Sequence, residues 1–425
     1  MNIKFRLTLL NFLEFAIWGA YLTSMGGYLA SVGLGAQIGY FYSVQGLVSL
    51  IMPALMGIVA DRWMQAQRVL SICHLFAGVM MLFASVYCLH AAKDVEFSIL
   101  FGLYTMSVAF FMPTIALANS VSYNALEKAN LDAVKAFPPI RVFGTIGFIT
   151  SMWIVDLSGW QTTPYQFMWS GVLSVLLSLY SLSMPKCEIT VRNEKQSLVL
   201  ALGLEAFRLF RNYRMAMFFI FSMLLGCCLQ ITNGYAGPFI QSFGIIPEYQ
   251  GTFGVEHANI LISLSQISET LCILLIPFCL SRFGIKKVML IAMLAWTLRF
   301  GFFAIGNPGD GVWLLVLSMI VYGIAFDFFN ISGSLFVDKE TDVSIRNSAQ
   351  GLFMMMTNGL GSSIGMIAAG WIMNMYTINV SGLMIDKPGT GGWSQAWLIF
   401  TVYALVVAVL FAIMFRNRYT ATNKN

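Results

Sequence analysis

The chain has 425 residues, 58% of them hydrophobic and only 10% charged, with a net charge of +5. A soluble domain carries roughly 25% charged residues, so this chain cannot clothe a water-facing surface. That excludes a cytosolic enzyme, a disordered chain and a nucleic-acid-binding module, and the mean hydropathy of +0.77 with 35 Phe, 26 Met and 10 Trp points to a membrane protein.

A membrane-crossing helix needs about 20 mostly apolar residues. The start, Met1 to Arg6, is basic, and the apolar run after it is too long for a signal-peptide core and ends in no small-residue cleavage site, so it reads as an uncleaved first span. Spans 1 to 6 fall at approximately 8–30, 38–60, 69–91, 97–119, 138–156 and 165–184. Spans 7 to 12 fall at approximately 215–240, 255–280, 288–306, 311–335, 347–375 and 394–415. The divide is the polar insert Pro185 to Arg214, whose Leu198–Phe210 portion has the pattern of an amphipathic surface helix. The expected organisation is therefore an amino-terminal six-helix bundle over 1–184, a cytoplasmic linker over 185–214 and a carboxy-terminal six-helix bundle over 215–425.

Connections after odd-numbered spans hold only Lys93 and Lys387, whereas the even connections and both termini carry Lys4, Arg6, Arg62, Arg68, Lys128, Lys135, Arg282, Lys286, Lys287, Lys339, Arg346, Arg416 and Arg418. By the positive-inside rule both termini are expected to be cytoplasmic. Topology and anionic lipid account for the basic loops, and no nucleic-acid partner is needed. The seven cysteines form no C-x-x-C pair and mostly lie in apolar runs, and His74, His90 and His257 are scattered, so apolar packing is expected and neither metal nor cofactor is.

The halves repeat. After span 2 stand Gly57, Asp61 and Arg62; after span 8, at the matching place, stand Arg282, Gly284, Lys286 and Lys287. Together these resemble the loop signature of the major facilitator superfamily, roughly G-x-x-x-D-R-x-G-x-K-K, with Met64 replacing one glycine and Ser281 the second acid. In that family the motif braces the halves in one conformation, a role expected of Asp61, Arg62 and Arg282. A parallel repeat of six-helix halves is the plan of that transporter class.

A charge in the hydrocarbon costs at least about 2.5–3.5 kcal/mol, so intramembrane polar groups must face protein or water. The charged ones are Glu14, Arg141, Glu269, Arg299 and Asp327. Span 7 adds Gln230 and Asn233, span 8 Gln266 three residues before Glu269, span 5 Thr145 and Phe148 on the Arg141 stripe behind Pro138-Pro139 as helix start, and span 10 Phe326 and Asn330 beside Asp327. Amides and a carboxylate recognise a polar, uncharged molecule, and an aromatic face suits a flat ring. A nucleoside has both parts; a sugar stacked on its face uses the same chemistry, and composition does not separate the two. Arg299 and Asp327 fall at similar depth, a geometry that suits an ion pair. Gly351, Gly359, Gly361 and Gly365 read as close-packing positions in span 11.

Several runs resemble the bacterial nucleoside:proton symporters of the major facilitator superfamily: Met52 to Asp61, Phe137 to Phe148, Leu229 to Asn233, Ser265 to Thr270 and Phe326 to Ser334. The resemblance spans almost the whole chain. It implies an all-α membrane protein of twelve transmembrane helices in two six-helix halves, working as a monomer in the inner membrane by proton-coupled nucleoside uptake, with nucleosides such as uridine or adenosine, protons and the lipid bilayer as partners. Carried over position by position, the binding residues are Arg141, Thr145, Phe148, Gln230, Asn233, Gln266, Glu269 and Phe326, and Asp327 matches an acid implicated in coupling. Coupling requires a carboxylate whose proton affinity differs between two states, which makes Asp327, Glu269 and Glu14 the candidates; Arg299 is assigned a conformational role. Two departures stand out: Glu14 occupies a place where the family commonly carries glutamine, and Ser381 to Gly392 is looser and richer in glycine than expected. The rival from the same superfamily is a carrier of sugars or other small polar solutes. Enzyme motifs such as a nucleotide loop or H-E-x-x-H are absent from the sequence, so catalysis is not expected.

Overall fold

The computed structural model describes residues 2–187, 204–342 and 345–415. Nine helical stretches among the described residues are long and apolar enough to cross a membrane. They resolve into twelve spans once three local features are taken into account. The 48-residue stretch Ala258–Ile305 is spans 8 and 9 joined at Gly284, whose φ of 75° breaks the helix. Span 1 is interrupted, as Ile3–Gly19 and Met25–Ser31, and span 6, Tyr165–Ser181, has 17 residues. The twelve spans follow the order expected from the sequence, six before the polar insert and six after it. The outward faces are apolar, with Leu274, Phe278, Trp371 and Val402 among the exposed side chains.

The halves echo each other in their breaks. Span 7 is interrupted as span 1 is, giving Tyr213–Gly226 and Ile231–Ser242. Span 2 breaks between Ser49 and Met52, and span 11 passes from Arg346–Met354 through a π-helical turn, Met355–Gly361, into Ser362–Tyr376. Breaks of this kind free backbone groups inside a bundle and recur where helices line a cavity.

Some expectations change. Span 5 begins at Ala133, one turn before Pro138, because the Asp132 carbonyl accepts from the amides of Lys135 and Ala136 and starts the helix early. Leu204–Arg211 is a 3-10 helix; the rest of the expected amphipathic stretch, 198–203, lies outside the described residues, as do Arg192, Lys195, Arg416 and Arg418. The glycine-rich segment before span 12 is not a loose loop. It contributes to a hairpin of β1, Thr377–Val380, and β2, Leu383–Asp386, turned at Ser381 and Gly382, whose φ values of 52° and 83° are those of a tight hairpin turn. In span 11 a Cβ on Gly359, Gly361 or Gly365 would collide with spans 2 and 7, but Gly351 faces open space and has no packing role.

The halves meet at the cation-poor end. Thr23 donates to Asn259 Oδ1 (3.2 Å), Trp153 Nε1 to Ser263 Oγ (2.9 Å), Gln161 Nε2 to the Glu256 carbonyl (2.9 Å) and Ser363 to the Ser43 carbonyl (2.9 Å). The hairpin straps the closure, as Asn379 Nδ2 donates to the Ala30 carbonyl (2.8 Å) and Asn374 Nδ2, just before it, to that of Ala36 (3.0 Å). Spans 1 and 7 approach so closely that a Cβ on Gly26 would stand 2.1 Å from the Gly234 carbonyl oxygen. Toward the cation-rich end span 4 lines a cavity of about 510 Å³ with Asn119, Ser120, Tyr123, Asn124 and Glu127. Among the described residues, the hydrogen bonds between the halves thus gather at the cation-poor end.

Candidate functional site

The polar groups of spans 7 and 8 lie at the break in span 7 and along span 8. Gln230 ends the break in span 7, and Asn233 Nδ2 donates to Gln230 Oε1 (2.8 Å). That bond fixes both amides and leaves Gln230 Nε2 and Asn233 Oδ1 as donor and acceptor for a ligand. Both residues are half-buried.

Span 8 sorts its polar residues by face. Ser265 and Ser268 are buried toward span 10, Ser265 donating to Met319 Sδ (3.1 Å) and Ser268 to the Ile320 carbonyl. Gln266 and Glu269 point elsewhere and are half-buried, and among the described residues neither side chain makes a hydrogen bond. Glu269 nevertheless lies within electrostatic range of Arg141 from the other half and of Asp327 and Tyr322 on span 10.

Arg141 is half-buried with its guanidinium 3.8 Å above the Phe15 ring, a cation–π contact worth about 0.5–2 kcal/mol. Its position depends on Gly144, where a Cβ would stand 2.7 Å from an Arg141 terminal nitrogen and the same distance from Phe15. The guanidinium hydrogen-bond donors remain available to a ligand. Thr145, on the same stripe, is half-buried.

The two expected aromatic faces differ. Phe148 is 5% exposed and packs edge-on against Trp18 (6.2 Å, 83°), so its face is spent inside the amino-terminal half. Phe326 is half-buried and stacks on Tyr322 (5.6 Å, 15°), one residue before Asp327 in span 10.

Arg299 does not pair with Asp327. It is 2% exposed and donates to the Ser318 carbonyl (2.7 Å), to Thr232 Oγ1 (3.0 Å) and to Ser265 Oγ (3.3 Å), with Tyr322 4.4 Å below its guanidinium. It thereby ties spans 7, 8, 9 and 10 together. Asp327 is 6% exposed and its Oδ2 has no partner among the described residues. A buried carboxylate oxygen left this way is costly unless it serves a ligand or a proton.

Three functional neighbours escaped the sequence reading. Tyr322, one helical turn before Phe326, joins Arg299 to the aromatic surface. His74, one of three histidines read as scattered, bonds Glu14 (2.8 Å) inside the amino-terminal half. His257 bonds Asp156 (2.5 Å) across the halves. The i to i+4 spacing of Tyr322 and Phe326 was readable; the other two contacts join spans remote in sequence, and no local pattern signals them. Of the loop-motif residues, Arg62 and Arg282 are exposed at the cation-rich end, Lys286 Nζ donates to the Ala412 carbonyl (3.1 Å), and Gly284 makes the turn between spans 8 and 9. Asp61 is helical; its side chain lies outside the description.

Taken together, the candidate set holds three amides, a carboxylate with no hydrogen bond among the described residues, a cation and an aromatic ring, with Arg141 drawn from one half and the others from the other. The profile of the nucleoside H+ symporter family matches residues 1–420. The chain belongs to this family. It is 47% identical over 423 residues to both the xanthosine permease and the nucleoside permease NupG of Escherichia coli K12, with 99% of this chain and 97% of each relative covered. The crystal structure of the nucleoside transporter NupG superposes with a TM-score of 0.88 at 47% identity, covering 98% of this chain and all of that one. A D-xylose-proton symporter shares the fold with a TM-score of 0.71 at 14% identity, a likeness of architecture alone. The symporter takes up nucleosides with protons across the bacterial inner membrane, in which it is a multi-pass protein.

Proposed function

We propose that the cation-rich end, with both termini, faces the cytoplasm, so that this structure is the inward-open state of an alternating-access carrier. The positive-inside rule supports that orientation. The carrier works as a monomer in contact with the bilayer, moves its substrate unchanged, and performs no catalysis. The nucleoside sits between the halves. Gln230, Asn233 and Gln266 hold its polar edges, Glu269 accepts from ribose hydroxyls, Phe326 stacks on the base, and Arg141 with Thr145 addresses base carbonyls from the opposite half. Phe148 shapes that wall through Trp18. Asp61, Arg62 and Arg282 brace the cation-rich end when it closes.

Coupling resides in Asp327 together with Glu269, with Glu14 as a third acid in the other half. Two carboxylates in one desolvated pocket repel each other, so a proton arriving on one stabilises the pocket and favours a neutral, hydroxyl-rich ligand. The observation that carries this reading is the position of Glu269, without a hydrogen bond, within charge range of Arg141 from one half and Asp327 from the other. Relatives named for xanthosine and for nucleosides generally are equally similar to this chain, so the base preference is not transferred from either.

The test is a binding panel on the purified protein with uridine, adenosine, xanthosine, free bases, ribose and xylose. Nucleosides are expected to compete for one site, and Glu269→Gln to weaken them about tenfold or more, the cost of about one charge-assisted hydrogen bond. Competition by ribose or xylose with indifference to nucleosides contradicts the reading.

A further inference from the structure

Glu14 on span 1 and His74 on span 3 are 1% and 0% exposed. Glu14 Oε2 and His74 Nε2 are 2.8 Å apart; Glu14 Oε1 accepts from the Thr114 hydroxyl of span 4 (2.6 Å), and His74 Nδ1 lies 3.2 Å from Ser174 Oγ of span 6. Counting hydrogens assigns a direction to the His74 contacts, while the one Thr114 hydroxyl proton is divided between Glu14 Oε1 (2.6 Å) and the Phe111 carbonyl (2.6 Å). Ser174 has one hydroxyl proton, and its shorter bond donates that proton to the His74 carbonyl (2.8 Å). The Ser174 oxygen is then an acceptor, so His74 Nδ1 carries the hydrogen that points at it. With Nδ1 protonated, the contact between Nε2 and Oε2 sets two lone pairs against each other unless a further proton lies between them. The pair therefore holds one proton more than a carboxylate beside a neutral imidazole would, and it is neutral overall.

We propose that Glu14 and His74 together form a proton-binding site of the amino-terminal half, occupied in this inward-open state, whose occupancy sets the charge that Arg141 faces. This rests on the reading above that Arg141 lines the nucleoside pocket. The groups around the pair are few. Thr114 and Ser174 hydrogen-bond it, the Phe111 ring stands 6.2 Å from the imidazole, and Cys73 and Arg141 lie within range of the Glu14 charge. Arg141 is the one cation among them, and it rests on Phe15, the neighbour of Glu14 in span 1. With the proton bound, the pair is neutral and Arg141 is left to Glu269 and the ligand. With the proton gone, the Glu14 carboxylate competes for the guanidinium. A cavity of about 10 Å³, lined by Ser174, Ser170, Ser107 and Tyr21 together with Ile17, Ala77, Met81 and Phe111, reaches Ser174, the partner of His74.

The experiment uses the full-length transporter in proteoliposomes with uridine as probe, comparing wild type, Glu14→Gln and His74→Gln. Uridine counterflow needs no net proton movement and is expected to survive in both variants, which shows that they fold. The proton-to-uridine ratio, read from the reversal potential, is expected to fall by one in each. The pH dependence of uridine affinity is expected to lose one proton's worth of slope, up to about tenfold per pH unit. Normal counterflow with an unchanged ratio and slope overturns the proposal. Should either variant fail to fold, histidine-selective 15N spectra of the wild type decide the matter, with His90 and His257 assigned by substitution. A His74 Nδ1 that carries a proton supports the proposal, and an unprotonated Nδ1 overturns it. Arg141→Ala is measured alongside: normal uridine affinity there defeats the pocket reading, and with it the link to Arg141, whereas the proton count on Glu14 and His74 is read independently.

Discussion

Asp156 Oδ1 and His257 Nδ1 lie 2.5 Å apart and join the end of span 5 to the start of span 8. The other oxygen, Oδ2, accepts from the backbone amides of Asn259 (3.0 Å) and Ile260 (3.2 Å). These are among the donors that every helix start leaves without an internal partner. Asp156 is thus a helix cap supplied by the opposite half, and it must let go whenever the cation-poor end opens.

Removing that cap is expected to loosen the closure. Asp156→Ala should cost the closed state about 1–2 kcal/mol, the usual worth of a cap. Thr23, which bonds Asn259 at the same seam, is a suitable reporter. A cysteine placed there should react roughly tenfold faster with a membrane-impermeant maleimide in the Asp156→Ala background, since about 1.4 kcal/mol is a factor of ten. Equal labelling rates would show that the seam is held elsewhere.

The two phenylalanines separate stacking from packing. Phe326 is half-buried, whereas Phe148 is 5% exposed. Phe326→Ala is expected to weaken uridine binding by about 1–3 kcal/mol, the range for stacking of one base on one aromatic ring. Phe148→Ala should instead lower the melting temperature of the purified protein, as a truncated core aromatic costs about 3–5 kcal/mol, with a smaller change in affinity. Titration calorimetry and a thermal melt on both variants check the pair.

Arg299 is expected to behave as a structural tie. Arg299→Ala abandons hydrogen bonds to Ser318, Thr232 and Ser265, each worth about 1.5–3 kcal/mol when the donor is charged. Its melting temperature should fall by several degrees, while the protein that remains folded retains proton-driven accumulation. Folded protein that has lost coupling would place Arg299 in the proton path instead.

Gly144 holds the space that Arg141 occupies. Gly144→Ala sets a methyl within 2.7 Å of the guanidinium and of Phe15. Uridine affinity should drop about as much as in Arg141→Ala, with little change in expression. Wild-type affinity in Gly144→Ala would mean that Arg141 has other room to work.

The architecture was legible because hydropathy, loop charge and the repeated loop motif act on different residues and agree on twelve spans. The candidate site residues were legible because lipid penalises polar groups, so Gln230, Asn233, Gln266, Glu269 and Asp327 stand out against apolar surroundings. What escaped depends on packing between distant spans. The depth shared by Arg299 and Asp327 suggested a pair, but hydroxyl and carbonyl acceptors on three neighbouring spans claimed the guanidinium first. Glu14 and His74 are 60 residues apart, and their contact exists only because spans 1 and 3 meet in the bundle. The hairpin at Thr377–Asp386 was masked by its glycine and serine turn, which reads as loop until the strands on either side pair.

The most direct test of the central claim is uphill uptake of labelled uridine into proteoliposomes under an imposed pH difference by Asp327→Asn. With this coupling acid neutralised, uridine should accumulate less than in the wild type, by up to about tenfold per pH unit of the imposed difference, while exchange of internal for external uridine continues. Accumulation in that variant to the wild-type level under the same pH difference would contradict the account.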